Sequence, residues 1–342
     1  MKRIALSGKT GNSSILLDLP LNNLIDFCNI EKTIVITDST VHRLYGEQFS
    51  RYRTIFIKAG EKHKTLAAVH EIYEGLMKSE CDRSSFVLGI GGGIVCDIAG
   101  FAASTYLRGL PFAFAPTTLL AQVDASVGGK NGVNFNGYKN LIGTISQPQF
   151  VLCDFEALKT LSKMELRNGF AEVIKHALIG DRALLAFMER NPEAALSLEK
   201  AVIERIVYDS LKVKTGIVLQ DETERCERRK LNFGHTLGHA IEKTAGIKHG
   251  EAISVGMVME AELSRVRGLL RRRDVERIRK VLEMFGLPVS FNGDREAIMD
   301  AIRKDKKREG GHVYSVLLDG IGTAGVGKVN INEIEEIVND MC

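Results

Sequence analysis

No tryptophan occurs in the 342 residues, aromatic side chains make up only 6%, and the net charge is +3. A nucleic-acid binder relies on a larger basic excess or on aromatics stacked beside basic residues, so nucleic acid is excluded as a partner. The run Arg271-Arg272-Arg273 is the one basic patch, and its helical, Arg- and Glu-rich setting marks a solvated helix face. Cysteine is sparse: Cys28, Cys81, Cys96, Cys153, Cys226 and Cys342 are scattered with no C-x-x-C pair. That excludes a disulfide framework and a cysteine zinc site, leaving buried or incidental thiols. No apolar run is long enough to span a bilayer, and the N-terminal stretch meets Ser7-Gly8-Lys9 before a signal-like core can build. The expectation is a cytoplasmic protein with no membrane partner.

What is present is a balanced globular composition, 44% hydrophobic and 26% charged, with enough length for two domains. β-branched runs at Thr33–Thr37, Thr54–Ile57, Phe86–Ile90, Phe112–Ala115 and Phe150–Cys153 alternate with helical stretches such as Thr65–Ser79 and Ile94–Ser104. Strand–helix alternation predicts an α/β N-terminal domain with a mostly parallel sheet covered on both faces. Near Asp154 the pattern changes. From Ser162 to Arg308 apolar residues recur at helical spacing, as in Ala201, Ile203, Ile206, Val207 and Leu211. A β-rich segment, Val313–Leu318, and a helix near Asn332–Asp340 close the chain. The reading is a nucleotide-binding α/β domain over residues 1–160 and a mainly α-helical C-terminal domain over 161–342. The crevice between them is the default place for a site.

Two segments carry chemistry. The first is Leu88-Gly89-Ile90-Gly91-Gly92-Gly93-Ile94, which follows a strand and opens a helix. Glycines there let a backbone approach a pyrophosphate and leave helix N-terminal N–H groups to bind it. The pattern departs from G-x-G-x-x-G, because Ile94 stands at the third glycine position and the acidic Asp38 lies upstream. Gly8-Lys9-Thr10 is not a phosphate-binding loop, since Arg3 stands where the upstream glycine is required.

The second segment is Asn232-Phe233-Gly234-His235-Thr236-Leu237-Gly238-His239, followed by His249. Upstream, Glu172 and Lys175 share one helical face. Any one of these histidines alone is explained by an ordinary core or surface position. Together with a carboxylate on an apolar helix they suggest a His/Glu metal site, and i, i+4 spacing names His235 and His239 as its imidazole pair.

With these segments in view, the chain resembles the 3-dehydroquinate synthase family of sugar phosphate cyclases over nearly its full length. The resemblance is carried by Pro116-Thr117-Thr118-Leu119-Leu120-Ala121-Gln122-Val123-Asp124-Ala125-Ser126-Val127-Gly128-Gly129-Lys130 and by Lys139-Asn140-Leu141-Ile142-Gly143. It continues through Asn168–Lys175, Asn232–Glu242 and Asp305-Lys306-Lys307. It implies Glu172, His235 and His249 as ligands of Zn2+ or Co2+, leaving His239 to hydrogen-bond substrate. It implies NAD contacts from Asp38, Glu61, Lys64, Gly92, Gly93, Asp97, Thr117, Thr118, Lys139 and Thr160. Asp38, suited to ribose hydroxyls, favours NAD over NADP. Substrate contacts are implied for Arg108, Asp124, Lys130, Asn140, Asn168, Lys175, Lys214, Arg228, Asn232, His239 and Lys306, with Lys307 not separable from Lys306. Lys130, Lys175, Arg228, Asn232, His239 and Glu224 are the implied catalytic set. Glu224 fits equally a solvated place in Asp221-Glu222-Thr223-Glu224.

The implied substrate is 3-deoxy-D-arabino-heptulosonate 7-phosphate, an anionic sugar phosphate. Its carboxylate would suit the planar fork of Arg228, and its phosphate the point charges of Lys130 and Lys306. The implied course is hydride removal from C5, phosphate elimination, re-reduction, ring opening and an internal aldol closure to 3-dehydroquinate. A homodimer is implied, with Arg108 reaching the neighbour's phosphate. The loop Asn134-Phe135-Asn136-Gly137-Tyr138 before Lys139 departs from the family's usual sequence. Rival readings are a cyclase acting on a substrate without the carboxylate, a polyol or glycerol phosphate dehydrogenase, and an NAD-keeping binding protein.

Overall fold

The structure, a computed structural model, describes residues 2–303, 308–309 and 312–341. Lys306 and Lys307 lie outside the described residues. The chain divides into two compact units, Met1–Ser162 and Lys163–Cys342.

The first unit begins with a hairpin that the strand pattern did not reveal. β1 (Lys2–Gly8) pairs antiparallel with β2 (Gly11–Leu17), and Lys9-Thr10 form the tight turn between Gly8 and Gly11. The Gly8-Lys9-Thr10 stretch is therefore a hairpin turn. Next come β3 (Thr33–Asp38), α1 (Ser39–Tyr45), β4 (Arg53–Ile57), α2 (Leu66–Lys78), β5 (Phe86–Gly91), α3 (Gly93–Thr105) and β6 (Phe112–Pro116). A second hairpin, β7 (Lys130–Phe135) with β8 (Tyr138–Ile145), forms its own two-stranded sheet before β9 (Phe150–Cys153).

The main sheet has seven strands in the order β1-β2-β9-β6-β5-β3-β4. All its pairings except β1 with β2 are parallel. Runs such as Thr33-Ile34-Val35-Ile36-Thr37 are buried throughout, as strands covered on both faces must be. One covering layer packs Leu21, Leu24, Val41, Tyr45 and Phe49 onto Val35, Leu88, Ala113 and Leu152. α3 lies close to β7 because Gly100 has no side chain: a Cβ there would stand 2.0 Å from the Asn131 amide oxygen.

The second unit is helical up to its last segment, as the apolar spacing predicts. Its helices are α4 (Lys163–Gly180), α5 (Arg182–Arg190), α6 (Pro192–Leu196), α7 (Lys200–Gln220), α8 (His235–Ala245), α9 (His249–Val266), α10 (Arg272–Met284) and α11 (Arg295–Arg303). A three-stranded antiparallel sheet follows, of β10 (Arg308–Glu309), β11 (His312–Leu318) and β12 (Ala324–Asn330), and then α12 (Ile331–Met341). β12 escaped the sequence reading because Gly325 and Gly327 break its alternation.

The core of this unit packs Leu237 and Ile241 of α8 against Val255, Met259 and Leu263 of α9, with Ile298, Ile302, Val313, Ile334 and Val338. α8 and α9 touch backbone to backbone. A Cβ at Gly256 would lie 2.1 Å from the Gly234 carbonyl oxygen and 2.7 Å from the Gly238 nitrogen. At the start of α10, Arg271 pairs with Asp274 at 2.8 Å and Arg272 with Glu276 at 2.9 Å, a solvated face. Among the described residues no helix is long and apolar enough to cross a membrane. The cysteines among them are free thiols.

Candidate functional site

In the first unit the chain runs from β3 to β4 on one side, then returns to lay β5 on the other side of β3. Such a switch in winding direction opens a crevice at the carboxyl ends of the two central strands, where open parallel sheets bind ligands. Asp38 ends β3 and Gly91 ends β5, and the two strands are paired through Thr37 and Ile90. The acidic residue that lies upstream of the glycines in sequence is thus their neighbour in space. Asp38 has a further duty: its Oδ1 accepts from Thr40 N at 2.8 Å and Val41 N at 3.0 Å, capping α1.

α3 carries no side-chain cap; its N-cap is Gly92, at φ −73°. None of Gly91, Gly92 and Gly93 is left-handed, so their value is space. A Cβ at Gly91 would come within 2.5 Å of Val95, one at Gly92 within 3.2 Å of Thr118, and one at Gly93 within 3.1 Å of Ala125. Bare backbone N–H groups at an uncapped helix start make an anion site. Thr117 N donates to the Gly91 carbonyl at 2.9 Å, and Thr118 Oγ1 accepts from Ala121 N at 3.1 Å. That contact opens the π-helical turn Ala121–Ala125, which carries Asp124.

A second group in this unit unites residues assigned separately from sequence. Buried Lys64 ion-pairs with Asp97 and donates to Asn140 Oδ1 at 2.5 Å. Asn134 donates to Glu61 at 2.7 Å and accepts from Asn140 N at 2.9 Å, which ties the 61–64 segment to the β7–β8 hairpin. Glu61, Thr65, Asn134 and Lys139, with the atypical Phe135–Tyr138 loop, line a cavity of about 340 Å³. Thr160 hydrogen-bonds the Tyr45 hydroxyl. Lys130 and Arg108 are exposed, and Leu107, Arg108 and Gly109 are consecutive left-handed residues that turn Arg108 outward.

In the second unit, α4, α8 and α9 bring together Glu172, His235 and His249, whose ligand atoms lie within 4.8 Å of one another. Glu172 is fully buried and divides its oxygens. Oε2 pairs with Lys175, while Oε1 faces His235 Nε2 at 3.6 Å and His249 Nε2 at 3.3 Å. Two Nε2 atoms converging on one carboxylate oxygen could hold a metal ion with coordination positions left open. The His235 Nδ1–H donates to the Phe233 carbonyl at 3.1 Å. Burial, then the Lys175 charge, hold His235 well below the usual imidazole range. Burial also works against charge on His249, but hydrogen bonds and charges from Glu172 and Glu242 outweigh it and raise its pKa to about 9.

His239, one turn beyond His235, sets its ring edge-on at 5.2 Å and stays exposed. The i, i+4 pair is therefore adjacent, yet the tight triad takes its second imidazole from another helix. Asn168 Oδ1 accepts from Gly250 N at 3.2 Å, fixing the first turn of α9 beside His249. Asn232 donates to Glu224 at 2.7 Å; Glu224 is half-buried with φ +60°, which argues against a merely solvated place. Lys214 is buried on α7. Arg228 is 2% exposed and donates from Nη1 to the Glu222 carbonyl at 2.5 Å, so one arm of its fork is already used.

Three positioning carboxylates escaped the sequence reading. Asp221 accepts from the backbone N–H groups of Arg225, Cys226 and Arg228 at 3.0, 2.6 and 3.1 Å, gathering the loop that carries Glu224 and Arg228. Glu260, fully buried on α9, accepts from Gly234 N at 2.8 Å and anchors the residue before His235. Glu242 stands 3.5 Å from His249 Nδ1. Only Glu242 left a trace in sequence, three residues after His239 on the same helical stripe.

Residues 54–168 match the family profile described as 3-dehydroquinate synthase N-terminal, and residues 169–308 match its C-terminal counterpart. A 3-dehydroquinate synthase of Streptococcus sanguinis is 41% identical over 324 residues, covering 90% of each chain. Among solved structures, 2-deoxy-scyllo-inosose synthase complexed with carbaglucose-6-phosphate, NAD+ and Co2+ superposes with a TM-score of 0.90 at 25% identity, covering 100% of both chains. The 2-epi-5-epi-valiolone synthase of Streptomyces hygroscopicus, with NAD+ and Zn2+ bound, gives 0.87 at 29% identity, covering 99% of this chain and 97% of the other. Both family profiles, matched in tandem, and identity above 40% across nine-tenths of the chain place it in the 3-dehydroquinate synthase family.

Proposed function

We propose that this chain is a lyase of the shikimate pathway that converts 3-deoxy-D-arabino-heptulosonate 7-phosphate to 3-dehydroquinate and phosphate, serving aromatic amino acid biosynthesis. The observation that carries the reading is the convergence of Glu172 Oε1 with two imidazole Nε2 atoms. This donor set fits Zn2+ or Co2+, and the glycine-opened α3 beside Asp38 fits NAD. When bound, the metal acidifies a substrate hydroxyl and the nicotinamide takes and returns a hydride at one carbon.

The chain's own residues do the rest. Lys175 holds one oxygen of Glu172 so that the other stays aimed at the imidazoles. Burial keeps His235 neutral and able to donate its lone pair. The uncapped backbone at Gly92 and Gly93 takes the pyrophosphate, and Asp38 takes the ribose; its charge repels the 2′-phosphate of NADP. Lys64, Asp97, Thr117, Thr118, Lys139 and Thr160 complete that side. His239, Lys130, Asn140, Asn168, Lys214 and Asp124 take substrate, with Lys306 on the strength of its matched position. Glu224 moves a proton, and Asn232, which donates to it, orients its carboxylate and contacts substrate. The planar guanidinium of Arg228 suits a carboxylate, which separates this reading from cyclases acting on neutral sugars. Arg108, turned outward on a left-handed backbone, is offered to a second copy in a homodimer working in the cytoplasm.

Metal-loaded protein with substoichiometric NAD should release one phosphate per substrate over many turnovers with no lasting NADH. Steady NADH accumulation matching substrate loss, without phosphate, would replace this reading with an alcohol dehydrogenase.

A further inference from the structure

We infer that Glu242 is a positioning residue for the metal site, a carboxylate that holds the His249 ring by Nδ1 so that Nε2 faces Glu172. The inference rests on the metal reading above and adds a residue to it. His235, His239 and Glu242 recur at i, i+4 and i+7, so they form one stripe along α8. His249 opens α9 after the left-handed Gly246. A residue at a helix start has no preceding turn to confine its side chain, and His249 is the most exposed of the three ligands, at 30% against 0% for Glu172. Something must fix its ring, and Glu242 is where that support is needed.

The ring lies between two carboxylates: Nε2 to Glu172 Oε1 at 3.3 Å, and Nδ1 to Glu242 Oε2 at 3.5 Å. A proton kept on Nδ1 by Glu242 leaves the Nε2 lone pair for the ion and raises its basicity. His235 receives the same service from a neutral acceptor, the Phe233 carbonyl. The two imidazoles are thus supported unequally, and His249 is the one backed by charge. His239, Glu242 and His249 also lie within 4.8 Å of one another. An ion bound there through the Nδ1 that faces Glu242 would need that lone pair, and with Nε2 also ligated the ring would have to lose its last proton. The geometry therefore points to a support and not to a second cation.

The test compares zinc affinity, by competition with a chelator, in wild type, Glu242→Gln and Glu242→Ala, with melting of the metal-free proteins as a control. Glu242→Ala should bind about 10–100-fold more weakly and Glu242→Gln should fall between, with metal-free melting unchanged. In parallel, the wild type is loaded with an NMR-active cadmium isotope and the histidine nitrogens are read. One ion per chain, coupled to Nε2 of His235 and His249, with a protected proton on His249 Nδ1, supports the inference even where a variant fails to fold. Affinity in Glu242→Ala within about twofold of wild type overturns it. So does coupling through His249 Nδ1, or a second ion that disappears with Glu242. Failure of the wild type to take up any metal overturns the metal reading as well, which separates the two.

Discussion

The two units build their sites from different material. In the first, the proposed anion site is backbone: an uncapped helix start beneath glycines whose merit is that nothing projects from them. Its side chains hold one another, Lys64 with Asp97 and Asn140, and Glu61 with Asn134. In the second, the candidate metal site is side chains drawn from α4, α8 and α9, with Glu172 and His235 buried and His249 half-buried. A backbone site tolerates variation in the residues around it but not an added side chain. A side-chain site tolerates neither loss nor displacement, because each donor also fixes the others.

Three substitutions probe that contrast, the largest effect first. Glu172→Gln leaves Lys175 buried without a carboxylate partner at that position and removes a metal donor. It should abolish metal uptake and lower kcat/KM by on the order of a thousandfold, measured by metal analysis and phosphate release. Full metal content with normal turnover would break the contrast at its strongest point.

Gly92→Val acts on the other unit. A backbone φ of −73° accepts a side chain and a Cβ 3.2 Å from Thr118 needs only a small shift of that side chain, so the protein should fold, while the added bulk crowds the helix start proposed to take the pyrophosphate. NAD binding should weaken by about tenfold or more, close to 1.4 kcal/mol, with zinc content unchanged by titration and metal analysis. Loss of zinc in this variant would show that the two sites are not separately built.

The smallest effect concerns pH. Burial pushes the Asp221 carboxyl up, but three backbone N–H groups and the Arg228 charge outweigh it and hold its pKa below the ordinary carboxylate value. A folded-state pKa below the unfolded one stabilises at neutral pH, and that stabilisation is lost as pH falls through the folded value. Asp221→Asn should therefore melt a few degrees lower than wild type at pH 7, since Asp221 is half-buried and partly screened by solvent, and the two should converge in strong acid. A difference that persists unchanged in acid would mean that the carboxylate's charge contributes nothing.

Much of this was legible in advance where periodicity or local pattern carries the information. Buried parallel strands announce themselves as β-branched runs, and the helices of the second unit by apolar spacing. The β1–β2 and β7–β8 hairpins and β12 did not, because short polar or glycine-bearing strands lack clean alternation. Asp38 could be suspected from its strand end, but not that it also caps α1, a contact that depends on the turn following β3. His235 and His239 could be paired by helical spacing. That His249 joins His235 within reach of Glu172 depends on how α9 crosses α8.

The amino-acid sequence by itself determined the class of each unit, the glycine-opened helix and the stock of imidazoles and carboxylates, because these follow from local propensity and periodicity. Tertiary structure alone decided which groups meet. Asp38 ends its strand beside the glycines because β5 pairs beside β3, and Glu172 meets His235 and His249 because Gly256 lets α9 lie against the start of α8. Glu242 and Glu260 gain their places the same way, since close packing between helices distant in sequence sets those distances and no local rule encodes them.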